Sequence, residues 1–123
     1  MTNILSGLRI LILEDELLIA LDVEQLCREH GASDIVIERD LGGLQTDGAL
    51  DGFDVAIVYL MLSGVSALPF AEKLRDRNRP FVFTSGFGDM ERLQRAFPGV
   101  RAVAKPFSGS DLIEAVAAAA GRL

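Results

Sequence analysis

Three short segments of the chain hold side chains able to do chemistry: Glu14-Asp15-Glu16, Thr84-Ser85-Gly86 and Lys105-Pro106. Neighbouring carboxylates repel one another unless a cation or a basic group balances them, so Glu14 and Asp15 form a candidate Mg²⁺ site. A serine hydroxyl facing such a pocket can bond a phosphoryl oxygen. Each segment also has a plainer use. Asp15 can cap a helix whose dipole Glu16 complements. Ser85 can bond the backbone of its own turn, and Lys105 can be a surface lysine held extended by Pro106. What separates the two readings is whether the three segments meet in space.

The elements that must position them can be read from the pattern. Leu8 to Leu13 is an almost continuous apolar run, as expected of a strand buried on both faces of a parallel sheet. Similar runs follow at Ile35 to Ile37, Val55 to Val58, Phe81 to Phe83 and Arg101 to Ala104. Between them the spacing predicts helices. The first covers Glu16 to His30, with Leu17, Leu18, Leu21 and Leu26 on its apolar face and Gly31 as its left-handed cap. A second, at Leu41 to Leu50, is opposed by Gly42, Gly43 and Gly48. A third covers Ala67 to Arg77, a fourth Gly88 to Phe97, and a last one, capped by Ser108, reaches Ala120. Strand and helix alternate, which argues for an α/β domain. The common order of such a five-stranded parallel sheet is 2-1-3-4-5, with ligands bound beyond the C-terminal strand ends. Under that assignment Glu14, Asp15, Tyr59, Ser85 and Lys105 all fall at one end of the sheet.

In this order the segments resemble the receiver domains of bacterial two-component response regulators. Ile12-Leu13-Glu14-Asp15-Glu16 is similar to their acidic pair, Thr84-Ser85-Gly86 to their switch hydroxyl followed by a small residue, and Lys105-Pro106-Phe107 to their Lys-Pro-Phe motif. The resemblance runs over nearly the whole chain. Pro80-Phe81-Val82-Phe83-Thr84-Ser85-Gly86-Phe87 also resembles the Pro-Phe-x-Phe-Ala-Thr-Gly-Tyr motif of one receiver subfamily, with Thr84, Ser85 and Phe87 as departures. The resemblance implies a flavodoxin-like (CheY-like) three-layer sandwich and a single domain over residues 1–123 that is not an enzyme. It implies metal ligation by Glu14 and Asp15, phosphoryl neutralisation by Lys105, a conformational switch at Ser85 and a cis peptide bond before Pro106. It also points to an interaction face carrying Phe87, Arg92, Arg95 and Arg101.

One position departs from the pattern. The phosphoacceptor aspartate should close the third strand, and in Asp54-Val55-Ala56-Ile57-Val58-Tyr59 that place is held by Tyr59. An aspartyl phosphate is a reactive acyl phosphate, whereas a neutral phenol is a poor nucleophile and gives an inert ester. Asp54 precedes the strand and belongs at the opposite end of the sheet. Loss of one carboxylate also weakens any Mg²⁺ site. The expectation is a pseudo-receiver, with the Tyr59 ring packed on apolar neighbours and its hydroxyl bonded to Lys105 or a carboxylate. Two alternatives stand beside it: a phosphorylatable receiver using another acceptor, and a flavodoxin-like binder of a small ligand. The second needs a Ser, Thr and Gly phosphate loop after strand one, where Glu14-Asp15-Glu16 would repel phosphate.

Composition limits the partners. Lys+Arg 12 against Asp+Glu 18 gives 12 − 18 = −6, and no basic stripe is present, which argues against nucleic acid. No apolar run approaches the roughly 20 residues needed to span a bilayer, and Met1 to Gly7 lacks the features of a signal peptide, so a cytoplasmic protein is expected. The single cysteine, Cys27, reads as a half-buried structural thiol, and His30 as a residue favoured at a helix C-terminus. No output domain lies within the 123 residues. Output is expected through binding to a sensor histidine kinase or another signalling protein, by a monomer or weak homodimer.

Overall fold

The computed structural model describes residues 3–44 and 51–123, with the backbone alone at Gly43 and Phe87. Five parallel strands make the main sheet: β1 Arg9–Leu13, β2 Asp34–Glu38, β3 Val55–Tyr59, β4 Phe81–Ser85 and β5 Ala102–Ala104. Their spatial order is β2-β1-β3-β4-β5, the order expected from the sequence. Among the described residues four α-helices flank them: α1 Leu17–Glu29, α2 Leu68–Asp76, α3 Met90–Ala96 and, after the last strand, α4 Gly109–Ala119. A short antiparallel hairpin, Met61–Leu62 with Val65–Ser66, follows β3.

Side chains alternate across each strand, so every central strand feeds two cores. Leu11, Leu13, Ala56, Val58, Phe81 and Phe83 enter one layer with Phe70, Leu74, Leu93 and Phe97 from α2, α3 and the residue after α3. Ile10, Ile12, Val55, Ile57 and Val82 enter the other with Val23, Cys27, Leu112 and Val116 from α1 and α4. Phe81, Phe83 and Phe97 meet edge to face, with centroids 5.1 to 6.0 Å apart. Burial on both faces is why these strands read as continuous apolar runs.

Several expectations are corrected. The buried residues of α1 are Ala20, Val23 and Cys27, while Leu17, Leu18 and Leu21 are exposed. Leucine content pointed to the wrong face, because a helix packed close on a sheet buries small side chains where its axis approaches. Cys27 is fully buried rather than half-buried, and burial pushes its thiol up to about 12. In place of the second helix the described residues show a 3₁₀ turn at Gly42–Leu44, and the rest of that expectation, residues 45–50, lies outside the described residues. The helix expected from Gly88 starts at Met90, after a 3₁₀ turn at Phe87–Asp89.

The caps of α1 and α4 follow their residues. Ser108 Oγ accepts from the Asp111 amide at 3.1 Å at the start of α4. Gly31 has φ +98 just past α1, and a Cβ there would lie 3.1 Å from the Ser6 Cα. Only glycine fits that turn without displacing backbone. Among the described residues no helix is long and apolar enough to cross a membrane.

Candidate functional site

The C-terminal ends of β1, β3, β4 and β5 deliver Glu14, Tyr59, Ser85 and Lys105 to one end of the sheet. Register does this: parallel pairing places Leu13 beside Val58, Tyr59 beside Thr84, and Ser85 beside Ala104, so each next residue leaves its strand at the same level. Asp54 lies at the other end, where its carboxylate accepts from the Arg9 amide at 2.9 Å and from the Arg9 guanidinium at 3.1 Å.

Lys105 is the centre of the pocket. Its Nζ donates to Glu14 Oε1 at 2.6 Å, with the two side chains 17% and 4% exposed. The same ammonium stands 3.5 Å from the centroid of the Tyr59 ring, a cation–π contact. Tyr59 also packs against the core layer of α2 and α3. The expected bond from the tyrosine hydroxyl to Lys105 is not made, and among the described residues the hydroxyl has no partner. The lysine meets the ring face because its ammonium is already drawn to Glu14, which leaves the electron-rich π cloud as its second neighbour. The backbone amide of Lys105 donates to the Ser85 carbonyl at 2.7 Å, and the Lys105–Pro106 peptide bond is cis.

The carboxylates differ in their surroundings. Glu14 Oε2 accepts from the Glu16 amide at 3.1 Å, so both of its oxygens are engaged. Burial pushes the Glu14 carboxyl above the ordinary glutamate range, although Lys105 and the Glu16 amide pull the other way. Asp15 does not cap α1. Its Oδ2 accepts from the Ser63 amide at 2.9 Å across the mouth of the pocket, while Oδ1 is buried without a partner. The position preceding α1 is Glu16, which makes no side-chain cap. Arg39 from the end of β2 donates to the Asp15 carbonyl at 3.0 Å.

Ser85 is fully buried, and its hydroxyl donates to Asp89 Oδ2 at 3.1 Å. Arg92 holds the other oxygen of Asp89 at 2.9 Å. Sequence reasoning missed Asp89, Ser63 and Arg39. Asp89 had a legible signal, since Asp-x-x-Arg at a helix start pairs side chains three apart. Ser63 acts through its backbone, which leaves no such signal. Of the expected interaction face, Arg92, Arg95 and Arg101 are all exposed and ion-paired, to Asp89, Glu91 and Glu114 respectively. The Phe87 side chain lies outside the described residues. Between α3 and α4, over β5, an open groove of 570 Å³ is lined by Gln94, Arg101, Phe107, Asp111 and Glu114 among others.

Glu14, Asp15 and Glu16 can bring one carboxylate oxygen each within 4.8 Å of one another. They do not fit a Mg²⁺ ion as they stand. Glu14 is satisfied by an ammonium and an amide, and the end of β3 supplies a ring instead of a third carboxylate. The buried Asp15 Oδ1 is the one acceptor of the Glu14 and Asp15 pair still without a partner.

No protein-family model matches the chain, and no curated protein matches it significantly. Solved structures do. A response regulator from Chloroflexus aurantiacus is 19% identical, with TM-score 0.81, over 94% of this chain and 99% of that one. The receiver domain of the Francisella response regulator 1452 is 22% identical, with TM-score 0.75, over 94% and 98%. A mutant of the anti-anti-sigma factor PhyR from Bartonella quintana is 24% identical, with TM-score 0.75, over 93% of this chain and 48% of that one. Together with the sheet order and the convergence of Glu14, Tyr59, Ser85 and Lys105, these likenesses give the chain the flavodoxin-like fold of response-regulator receiver domains.

Proposed function

We propose that the chain is a single receiver domain of two-component signalling that works as a pseudo-receiver, by binding another protein without being phosphorylated. One observation carries this reading: Tyr59 closes β3 where a phosphoacceptor would stand, and the Lys105 ammonium lies on its ring, 3.5 Å from the centroid. A phenol held this way offers no acyl-phosphate chemistry. Glu14, Ser85 and Lys105 keep the positions of a receiver's acid, switch and lysine, but each is hydrogen-bonded to another group of the protein.

Output then passes through a surface. The face of α3, β5 and α4, with Arg92, Arg95, Arg101 and the open groove beside them, is the surface we assign to it. The partner is a histidine kinase or another signalling protein. Similarity to PhyR, an anti-anti-sigma factor, supports the idea that a fold of this kind can signal by binding. Alanine at Arg92, Arg95 and Arg101 together should weaken partner binding, and unchanged affinity would exclude this face.

The experiment on the pocket adds Mg²⁺ with beryllofluoride, or acetyl phosphate, to the natural protein and to Tyr59→Asp. Amide NMR shifts and intact mass are then read. A response confined to Tyr59→Asp supports the proposal. A phosphoryl adduct on the natural protein means that a different acceptor exists and refutes it.

A further inference from the structure

We propose that the end of the sheet opposite the Tyr59 pocket carries a binding site for a small phosphate-bearing anion, held by Arg75, Arg79 and Arg101.

A cavity of 460 Å³ opens there, between the end of α2, the loops that enter β4 and β5, and the last turn of α4. That size falls within the roughly 300–1,000 Å³ of small-molecule sites. Arg75, Arg79 and Arg101 line it, and among the described residues that line it none is acidic. In a chain with Asp+Glu 18 against Lys+Arg 12, this local excess of positive charge runs against the overall balance. Asn78 adds an amide to the wall, and Gly99 and Ala118 keep part of it small.

Arg75 has a plainer use, since a basic side chain in the last turn of a helix complements its dipole. That accounts for neither Arg79 nor Arg101, which stand on the loops before β4 and β5. Each arginine also meets a carboxylate, but all three carboxylates lie outside the cavity lining: Asp76 at 3.4 Å from Arg75, Asp51 at 2.8 Å from Arg79 and Glu114 at 3.5 Å from Arg101. These acids are 66% to 70% exposed. Ion pairs so exposed are weak and yield to a ligand that offers more charge. The Phe97 ring, its centroid 5.1 Å from the Arg75 guanidinium, restrains that side chain through its π face.

The guanidinium fork selects the ligand. It takes a carboxylate or a phosphate through paired N–H···O bonds. A carboxylate has two oxygens, which one fork can occupy, whereas a terminal phosphate presents three oxygens and more charge and can be held from several sides. Three arginines around one cavity therefore match phosphate. The cavity is larger than one phosphate group, which leaves room for a diphosphate. Because Glu14, Tyr59 and Lys105 lie at the other end of the sheet, the site stands or falls independently of the pseudo-receiver reading.

The probe is inorganic pyrophosphate, added at low salt without divalent metal, and the readout is amide NMR. The natural protein should show saturable shifts at Asn78, Gly99 and Arg101 that fade as salt is raised. Arg75→Gln combined with Arg79→Gln should weaken binding about tenfold or more, through the loss of charge-assisted hydrogen bonds. Should the double variant fail to fold, Arg79→Gln alone releases only the exposed Asp51 and should still weaken binding severalfold. Arg28→Gln removes the same charge from α1, outside the cavity, and should leave binding unchanged. Arg101 is kept because it also lines the groove over β5, so the result leaves the assigned output surface untouched.

Absence of a saturable shift in the natural protein overturns the proposal. So does an affinity that the arginine variants leave unchanged, or one that Arg28→Gln lowers equally, since the effect would then be one of net charge. Citrate, a tricarboxylate, bound as tightly as pyrophosphate overturns the assignment to phosphate.

Discussion

Replacing Lys105 by methionine keeps most of the length of the side chain and removes its charge, so it strands the Glu14 carboxylate at 4% side-chain exposure. Deleting one partner of a buried pair costs about 3–5 kcal/mol. Protonation sets a ceiling on that loss. Neutralising a carboxyl of ordinary pKa near 4.3 costs at most about 5 kcal/mol at pH 8 and about 2 kcal/mol at pH 6, at 1.36 kcal/mol per pH unit. The loss in Lys105→Met should therefore be about 3–5 kcal/mol at pH 8 and shrink to about 2 kcal/mol at pH 6. Glu14→Gln should cost less, because Lys105 is 17% exposed, can turn its ammonium toward water and keeps the Tyr59 ring face. The double variant should recover most of the loss, since replacing both partners of a buried pair is often close to neutral. Urea unfolding at the two pH values gives the numbers, read at constant m. A loss under about 1 kcal/mol at pH 8, or one that does not shrink at pH 6, would show that the pair is not what holds this pocket.

Other outcomes follow from the same geometry. Because the folded-state pKa of Glu14 is raised, its contribution to stability is fully present below the ordinary carboxylate range and is lost as pH rises through the raised value. Glu14→Gln should remove that fall from the stability–pH curve. Asp54 has the opposite sign: Arg9 holds its carboxyl below the usual range, so its contribution is present above that range and is lost as pH falls through the depressed value. Asp54→Asn should flatten the acid limb of the same curve. Gly31→Ala should destabilise by at least about 1–2 kcal/mol, the cost of a left-handed residue with a Cβ, and more where that Cβ meets Ser6 backbone. Thermal unfolding measures it, and an unchanged midpoint would refute the cap argument. Cys27, buried and with its thiol raised to about 12, should resist a disulfide reagent in the native protein and react at once in denaturant. Rapid native labelling would contradict its placement between α1 and the sheet.

The order of the elements was legible in the sequence because it depends on short-range pattern. Short apolar runs alternating with helical spacing leave few topologies open, and the known order of such sheets then puts Glu14, Tyr59, Ser85 and Lys105 at one end. The absence of an acidic residue at the end of β3 was likewise a matter of reading one position. Pattern failed where the deciding quantity was distance between elements. Leu17, Leu18 and Leu21 looked like a core face, yet the sheet approaches α1 along Ala20, Val23 and Cys27. Asp15 had the spacing of a helix cap, and only the folded loop after β3 brought the Ser63 amide close enough to claim it. Ser85 was read toward the pocket, while its hydroxyl is held by Asp89 at the start of the next helix.

Residue types alone therefore determined which groups gather at the pocket and that an acyl phosphate cannot form on Tyr59. Tertiary structure decided which of those groups pair. Whether an ammonium bonds a hydroxyl, a carboxylate or a ring face turns on differences of about an ångström among residues 14, 59 and 105, and electrostatic energy in a buried site changes by kcal/mol over such distances. No local pattern encodes a length of that kind, because it is set by the packing of strands far apart in the chain.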